Sequence, residues 1–224
     1  MTADTSAPRA YRGVSPDERR AQRRAKLIAA AVAVYGQRGY RQATVKAVCE
    51  AAGLTERYFY ESFDNSEALL VTSFTAVTYG VFDEIKAAAQ AAGRGRVARA
   101  RAMLSAYFSA LQREPASARV FLVEIRGVSR EVDRAFDAAL RVIGLEVARQ
   151  MAVPGAPAEA AGGAAEELLQ AGVVGGVMHI ALRWIDAGYQ PPLAVVTDTA
   201  LRLGMVLARP APRRLIRQGE GPRG

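Results

Sequence analysis

Apolar residues recur along most of this chain at three- and four-residue intervals, the spacing that places them on one face of an α-helix. The densest case is Thr44 to Phe63, TVKAVCEAAGLTERYFYESF. Val45, Val48, Cys49 and Ala52 fall at i, i+3, i+4 and i+7, which predicts a helix of about two turns. Gly53 then predicts its end, because glycine takes the left-handed conformation that closes a helix without a side-chain clash. Thr55 restarts the chain, its hydroxyl expected to accept from the free amides of the next first turn. In that second segment Phe59 and Phe63 are expected to face inward, leaving Glu56, Arg57, Tyr58, Tyr60 and Glu61 outside. Two helices joined by a glycine turn of this length match a helix-turn-helix, whose second helix enters the DNA major groove.

The same pattern predicts the remaining elements. Ser15-Pro16-Asp17-Glu18 combines a cap, a proline at the first helical position and a glutamate three residues on. The helix it starts should run to about Tyr35, bury Ile28, Ala31, Val32 and Tyr35, and end at Gly36 and Gly39. Arg19, Arg20, Arg23, Arg24 and Lys26 crowd its first half, where it is expected to cross the DNA backbone and brace the reading pair. Asp64 and Glu67 have the spacing of a second cap, opening a helix to about Ala92 with Leu70, Phe74, Val77, Val81 and Ile85 inside. Further helices are expected over Val97–Gln112, Ser117–Val128, Glu131–Met151, Ala164–Ala187 and Leu193–Ala208, with Pro115 interrupting. With no alternating strand pattern, the chain is predicted to be all-α, with about nine helices. Its expected parts are a flexible basic arm (1–14), a three-helix helix-turn-helix domain (15–65), a larger helical domain (66–208) and a basic tail (209–224).

Thr44, Val48, Ala52-Gly53, Thr55, Tyr60 and Phe63, preceded by Gly39-Tyr40 and followed by Glu67 and Leu69, resemble the N-terminal signature of the tetracycline-repressor (TetR) family of transcriptional regulators. Typed positions agree in order and spacing over Ser15 to Leu70; beyond that the resemblance is one of architecture. Arg57, Ser62 and Ser66 depart from it, standing where the family often has glycine, histidine or tyrosine, and lysine. The resemblance implies that the helical domain binds a small effector that shifts a dimer away from DNA. It also implies that the last two helices form a four-helix dimer interface.

Charge sharpens this reading. Residues 1–64 carry 11 basic and 7 acidic groups, net +4, residues 65–208 carry 14 of each, and residues 209–224 carry 5 and 1, again net +4. An excess beside a helix-turn-helix is the electrostatic footprint expected for phosphate. Cys49, the single cysteine, excludes an intramolecular disulfide and reads as a small core residue. With no hydrophobic N-terminal signal, the expected compartment is the cytoplasm. His179, the single histidine, has no sequence partners and reads as a core or pocket side chain. No nucleophile motif, metal-ligand spacing or phosphate loop appears, so neither an enzyme, a metal nor a cofactor is expected. Leu168 to Ile185 approaches the length of a membrane span, but Gln170, His179 and Arg183 interrupt it, and burial between a core and a partner subunit accounts for it better. The competing reading is a helical ligand-binding or membrane-surface protein that uses basic ends such as Arg213-Arg214-Leu215-Ile216-Arg217 on anionic lipid.

Within the regulator reading, Arg57 is the candidate for a bidentate guanine contact, the alternative being an ion pair with Glu61 four residues on. Tyr58 is a candidate for a thymine methyl or a phosphate, Glu56 for accepting from cytosine or for repelling wrong contacts, and Thr44 and Lys46 for the DNA backbone, with Thr55 a further DNA-binding candidate. By resemblance, Tyr60 should hydrogen-bond phosphate, the alternative being a plain packing tyrosine. A symmetric homodimer on a palindromic operator is expected, since one motif reads only a few base pairs. Phe74, Val77, Tyr107, Phe108, Phe121, Phe136, Met178 and Trp184 are candidates to surround a largely apolar effector, or else plain core. Glu124, Asp133 and Asp137 are either partners for a cationic effector or a solvated face. Gly172, Val173, Gly176, Ile180, Leu201 and Met205 are the candidates for the dimer interface.

Overall fold

Serine, proline and glutamate start the first helix as their spacing demands. In the computed structural model, which describes residues 15–93, 95–151 and 163–207, the Glu18 amide donates to Ser15 Oγ at 3.1 Å and the Ser15 amide to Glu18 Oε2 at 2.7 Å. The expected arm (1–14) and tail (209–224) lie outside the described residues, as do residues 153–162. Helix α1 (Pro16–Arg38) passes through Gly36 and stops at Gly39, whose φ of +83° suits glycine. The expected stop at Gly36 is therefore wrong, and the reason is packing. A Cβ on Gly36 would lie 2.5 Å from Ala116 Cα, so glycine is what lets α1 approach the backbone of α6 (Pro115–Arg119).

A short 3₁₀ turn over Tyr40–Gln42 leads to α2 (Val45–Ala52), the Gly53 turn and α3 (Glu56–Tyr60). Helix α4 (Ser66–Ala91) is capped by Asn65 Oδ1, which accepts from the Ala68 amide at 2.8 Å. Asn65, not Asp64, supplies that cap, and Glu67 turns away to accept from Ser129 Oγ at 2.8 Å. Helix α5 (Arg96–Arg113) is followed by α6 (Pro115–Arg119), so Pro115 opens a helix rather than interrupting one. A π-helical turn over Val120–Glu124 continues α6, and α7 (Arg130–Met151), α8 (Ala164–Asp186) and α9 (Leu193–Leu207) complete an all-α fold.

One hydrophobic core joins the two ends of the molecule. Around α1 it holds Leu27, Ala31, Val48, Cys49, Phe59 and Phe63; it continues through Leu70 and Phe74 of α4 to Phe108, Ile125, Ala181 and Trp184. Cys49 is 2% exposed, and burial together with the Glu56 charge raises its thiol. Helix α4 packs on α1 at one end and on α5 and α7 along its length, while α8 packs on α7 and α9. Ser66–Ala91 and Glu167–Asp186 are long and apolar enough to cross a membrane, yet each lies against other helices of the bundle.

Replacing Gly36 with alanine adds helix propensity but drives a methyl group into the Ala116 backbone. Chemical denaturation should show a net loss of about 1–3 kcal/mol. Unchanged or increased stability would mean that the approach of α1 to α6 is looser than this contact.

Candidate nucleic-acid interface and cavity

The helix-turn-helix is built from local signals. Thr44 Oγ1 caps α2 by accepting from the Ala47 amide at 3.1 Å, and Gly53 sits in the left-handed region at φ 64° and ψ 35°. Phe59 and Phe63 are buried against α1, which fixes the rotation of α3. Thr55 occupies the cap position of α3 with extended backbone, but its side chain makes no capping bond. That expectation is corrected, and the hydroxyl stays exposed on the outer surface. Thr44, Lys46, Glu56, Arg57 and Tyr60 are exposed as well, so six of the seven nucleic-acid candidates share solvent access.

Tyr58 and Glu61 do not simply face outward. The Glu61 carboxylate meets Arg57 Nε at 3.0 Å and Arg23 Nη2 at 4.0 Å, while its backbone carbonyl accepts from Arg20 Nη2 at 2.9 Å. Arg23 also lies over the Tyr58 ring, 4.5 Å from its centroid, and leaves Tyr58 half-buried. Arg24 covers Phe63 in the same way at 4.6 Å. Arg20, Arg23 and Arg24 thus bind α1 to α3. The bracing of the helix pair by α1 was expected from the sequence, but not which arginine meets Glu61, Tyr58 or Phe63. Lys46 stands 4.0 Å from Glu50 with both side chains well exposed, an ion pair that adds little stability and leaves the ammonium accessible.

The other helices enclose a cavity of about 440 Å³ between α4, α5, the π turn, α7, α8 and α9. Of the effector candidates, Tyr107, Phe121 and Met178 line it. Phe74, Phe108, Phe136 and Trp184 instead form packed core. Phe74 stacks on Phe121 at 5.8 Å and meets Phe136 at 5.7 Å, while Phe108 meets Trp184 edge-on at 5.6 Å. Trp184 Nε1 donates to the Pro191 carbonyl at 2.6 Å, and Val77 packs against the core without reaching the cavity. The wall also includes Phe82, Ile85, Arg96, Leu104, Leu140 and Val147, none of them among the expected lining residues.

The interface candidates divide similarly. Val173 and Leu201 line the cavity and Met205 reaches its edge, while a Cβ on Gly176 would meet Leu203 Cδ2 at 2.8 Å, so that glycine serves contact with α9 of its own chain. Ile180 packs against the core. Gly172 has open space above it, and Leu168, Gly175 and His179 are exposed with it along α8. The histidine is therefore a surface residue, neither core nor pocket.

Glu124 has a different place from either one expected of it. It ends the π turn, and its side chain is only 10% exposed. One carboxylate oxygen accepts from the Tyr40 amide at 2.7 Å and the other from Arg119 Nε at 2.7 Å. Nearby, Arg41 Nη2 donates to the Gly127 carbonyl at 2.9 Å, and Asp133 Oδ1 accepts from the Gly127 amide at 2.9 Å. Phe121, in the cavity wall, belongs to the same turn as Glu124. A single turn of helix therefore touches the cavity on one side and the entry to the helix-turn-helix on the other.

Comparison with known proteins places this geometry. Residues 27–72 match the profile of the bacterial regulatory proteins, tetR family. No curated protein matches the chain. Among solved structures, the fold is similar to the fatty acid degradation regulator FadR from Bacillus halodurans, at 18% identity and a TM-score of 0.68, covering 83% of this chain and 95% of that one. It is also similar to FadR from Bacillus subtilis, solved in complex with stearoyl-CoA, at 19% identity and a TM-score of 0.62, covering 80% and 96%. A tetR-family transcriptional regulator from Streptomyces coelicolor gives 18% identity and a TM-score of 0.64, covering 84% and 80%. The profile falls on the capped helix pair, and these solved structures share the wider fold along most of the chain.

Proposed function

We propose that this protein is a homodimeric repressor that binds a palindromic operator and is released from it by a small, largely apolar effector. It acts in the cytoplasm and performs no catalysis. The observation that carries the release step is the π turn, with Phe121 in the cavity wall and Glu124 on the Tyr40 amide. An effector that displaces Phe121 moves the turn, and the turn carries Tyr40 and the start of α2 with it. For release, the effector must bind the non-operator conformation more tightly, by about 1–3 kcal/mol for typical coupling. That the B. subtilis FadR structure holds stearoyl-CoA supports a lipid-like occupant for a cavity in this fold.

Dimerisation through the exposed face of α8 bearing Leu168, Gly172, Gly175 and His179, with Val195 of α9, suits the reading. Small residues there let two helices approach closely. Paired heads about 34–36 Å apart then meet successive major grooves of one duplex face. Thr44, Lys46, Thr55 and Tyr60 take the backbone, and Arg57 takes a base edge after leaving Glu61. The exposed capping positions and the net +4 of residues 1–64 support this surface over a lipid-binding one.

The test is selection of genomic fragments by the intact protein, followed by footprinting on the recovered sequence. A twofold-symmetric footprint is expected, and a single asymmetric half-site would defeat the dimeric reading. On that operator, Arg57→Ala should lose about 1–3 kcal/mol of discrimination against a substituted half-site, whereas Lys46→Ala should weaken matched and scrambled duplexes alike. Glu124→Ala should uncouple the two ends. The effector-induced change in operator affinity, at least about five-fold in the parent, should fall to about two-fold or less while calorimetric effector affinity holds. Full release in that variant would show that the signal takes another route.

A further inference from the structure

Helices α4 and α7 run side by side, and the bonds that join them lie at their ends. Near the start, Ser129 Oγ accepts from the Val132 amide at 3.3 Å, capping α7, and donates to Glu67 of α4 at 2.8 Å. Near the end, Arg99 of α5 donates to the Gly93 carbonyl just past α4 at 3.0 Å and to the Gln150 carbonyl of α7 at 2.8 Å. Between these ties, no hydrogen bond or ion pair joins α4 to α7 among the described residues, and side-chain packing alone holds the seam. Thr75 and Thr78 add nothing polar across it, because their hydroxyls donate to the Val71 and Phe74 carbonyls of their own helix, each at 2.7 Å.

A groove of about 240 Å³ opens on this unbonded stretch, lined in part by Ala138 and by Tyr79 and Val142, which are 62% and 61% exposed. Thr78, Phe82 and Ile143 line both the groove and the main cavity, so a single layer of side chains separates the two. That layer is loosely set. Val81 and Ile85 pack against the core, but Phe82 is half-buried and does not. Gly80 lies two residues before it, with open space where a side chain would be, so packing does not call for glycine there. Its effect is local: a glycine inside a helix weakens it by about 1 kcal/mol against alanine.

We infer that the α4–α7 seam is a gate through which an apolar ligand enters and leaves the cavity, a role that rests on the effector reading above. The ligand settles in the groove against Tyr79 and Val142, α4 yields at Gly80, and Phe82 swings aside to let it pass. Opening the seam loses apolar contact but breaks no hydrogen bond, and the ties at both ends bring the helices back together. Phe82 shares the cavity wall with Phe121, and Phe74, one turn before Thr78, stacks on Phe121 at 5.8 Å. A ligand admitted here therefore arrives beside the π turn. The opening at the start of α5, edged by exposed Arg96, Val97 and Met205, lies elsewhere on the cavity, since none of the three borders the groove.

Stopped-flow fluorescence on the full chain tests the gate, with N-phenyl-1-naphthylamine as an uncharged apolar probe that brightens on leaving water. Ala138 is exposed and borders the groove but not the cavity. Ala138→Trp should slow association and dissociation alike, by about five-fold or more, and leave the equilibrium affinity within about two-fold of the parent. Val97→Trp, at the other opening, should leave both rates within about two-fold of the parent. Phe82→Ala should speed association, a gain that a misfolded variant would not give. The gate is overturned if Val97→Trp slows entry and Ala138→Trp does not, or if Ala138→Trp weakens affinity at an unchanged association rate, which would make the groove part of the binding site. A parent chain that fails to take up the probe overturns the gate and the effector reading together. The expected rate pattern, with operator affinity measured by fluorescence anisotropy unmoved by bound probe, would leave the gate standing and count against the effector reading.

Discussion

The rest of the molecule depends on the closeness of α1 to α6. Gly36 brings the two backbones together where any side chain would hold them apart, and this contact places the end of α1 beside the π turn. Only then does the Glu124 carboxylate reach the Tyr40 amide. A buried carboxylate is unfavourable unless its oxygens are satisfied, and here an amide and a guanidinium satisfy one each. The hydrogen-bond geometry thus locks what the packing brings near. The helix-turn-helix region and the larger helical region share one core and are joined parts, not separate modules on a linker.

Much of this was legible in the residues. The Ser15 capping box, the Gly53 turn and the inward Phe59 and Phe63 follow from local rules that act over a few residues, and the family signature lies on the same stretch. What stayed hidden depends on contacts distant in sequence. Gly36 reads as a helix stop because sequence alone does not show that Ala116 lies against it. Glu124 reads as surface charge because its partner is 84 positions away. Aromatic side chains were candidates for the cavity, yet Phe74, Phe108, Phe136 and Trp184 satisfy each other in the core, leaving aliphatic side chains for much of the wall. Composition alone does not separate a pocket from a core, because both favour the same residue types.

The cavity and the reading surface lie at opposite sides of a short chain of contacts. On the proposed reading, Phe121 and Glu124 are the two ends of a rigid lever a single helical turn long. A π turn carries one residue more per turn than an α-helix and is a place where a helix can change its register. Small movements of a wall residue need not be relayed through many side chains, since both ends belong to one backbone segment.

The sharing of Glu61 among arginines bears on how the protein meets random sequence. Helix α3 and its cap carry Glu56, Arg57 and Glu61, so this segment has little net positive charge of its own, and Arg57 already has a partner. On the proposed reading, attraction to arbitrary duplex would fall to α1 and Lys46, and Arg57 would gain by turning toward a base pair only where guanine offers a better acceptor pair than the carboxylate it leaves. Unmatched sequence would then be held by the flanks while the probing side chain stays folded back, which favours rapid scanning over tight trapping at wrong sites.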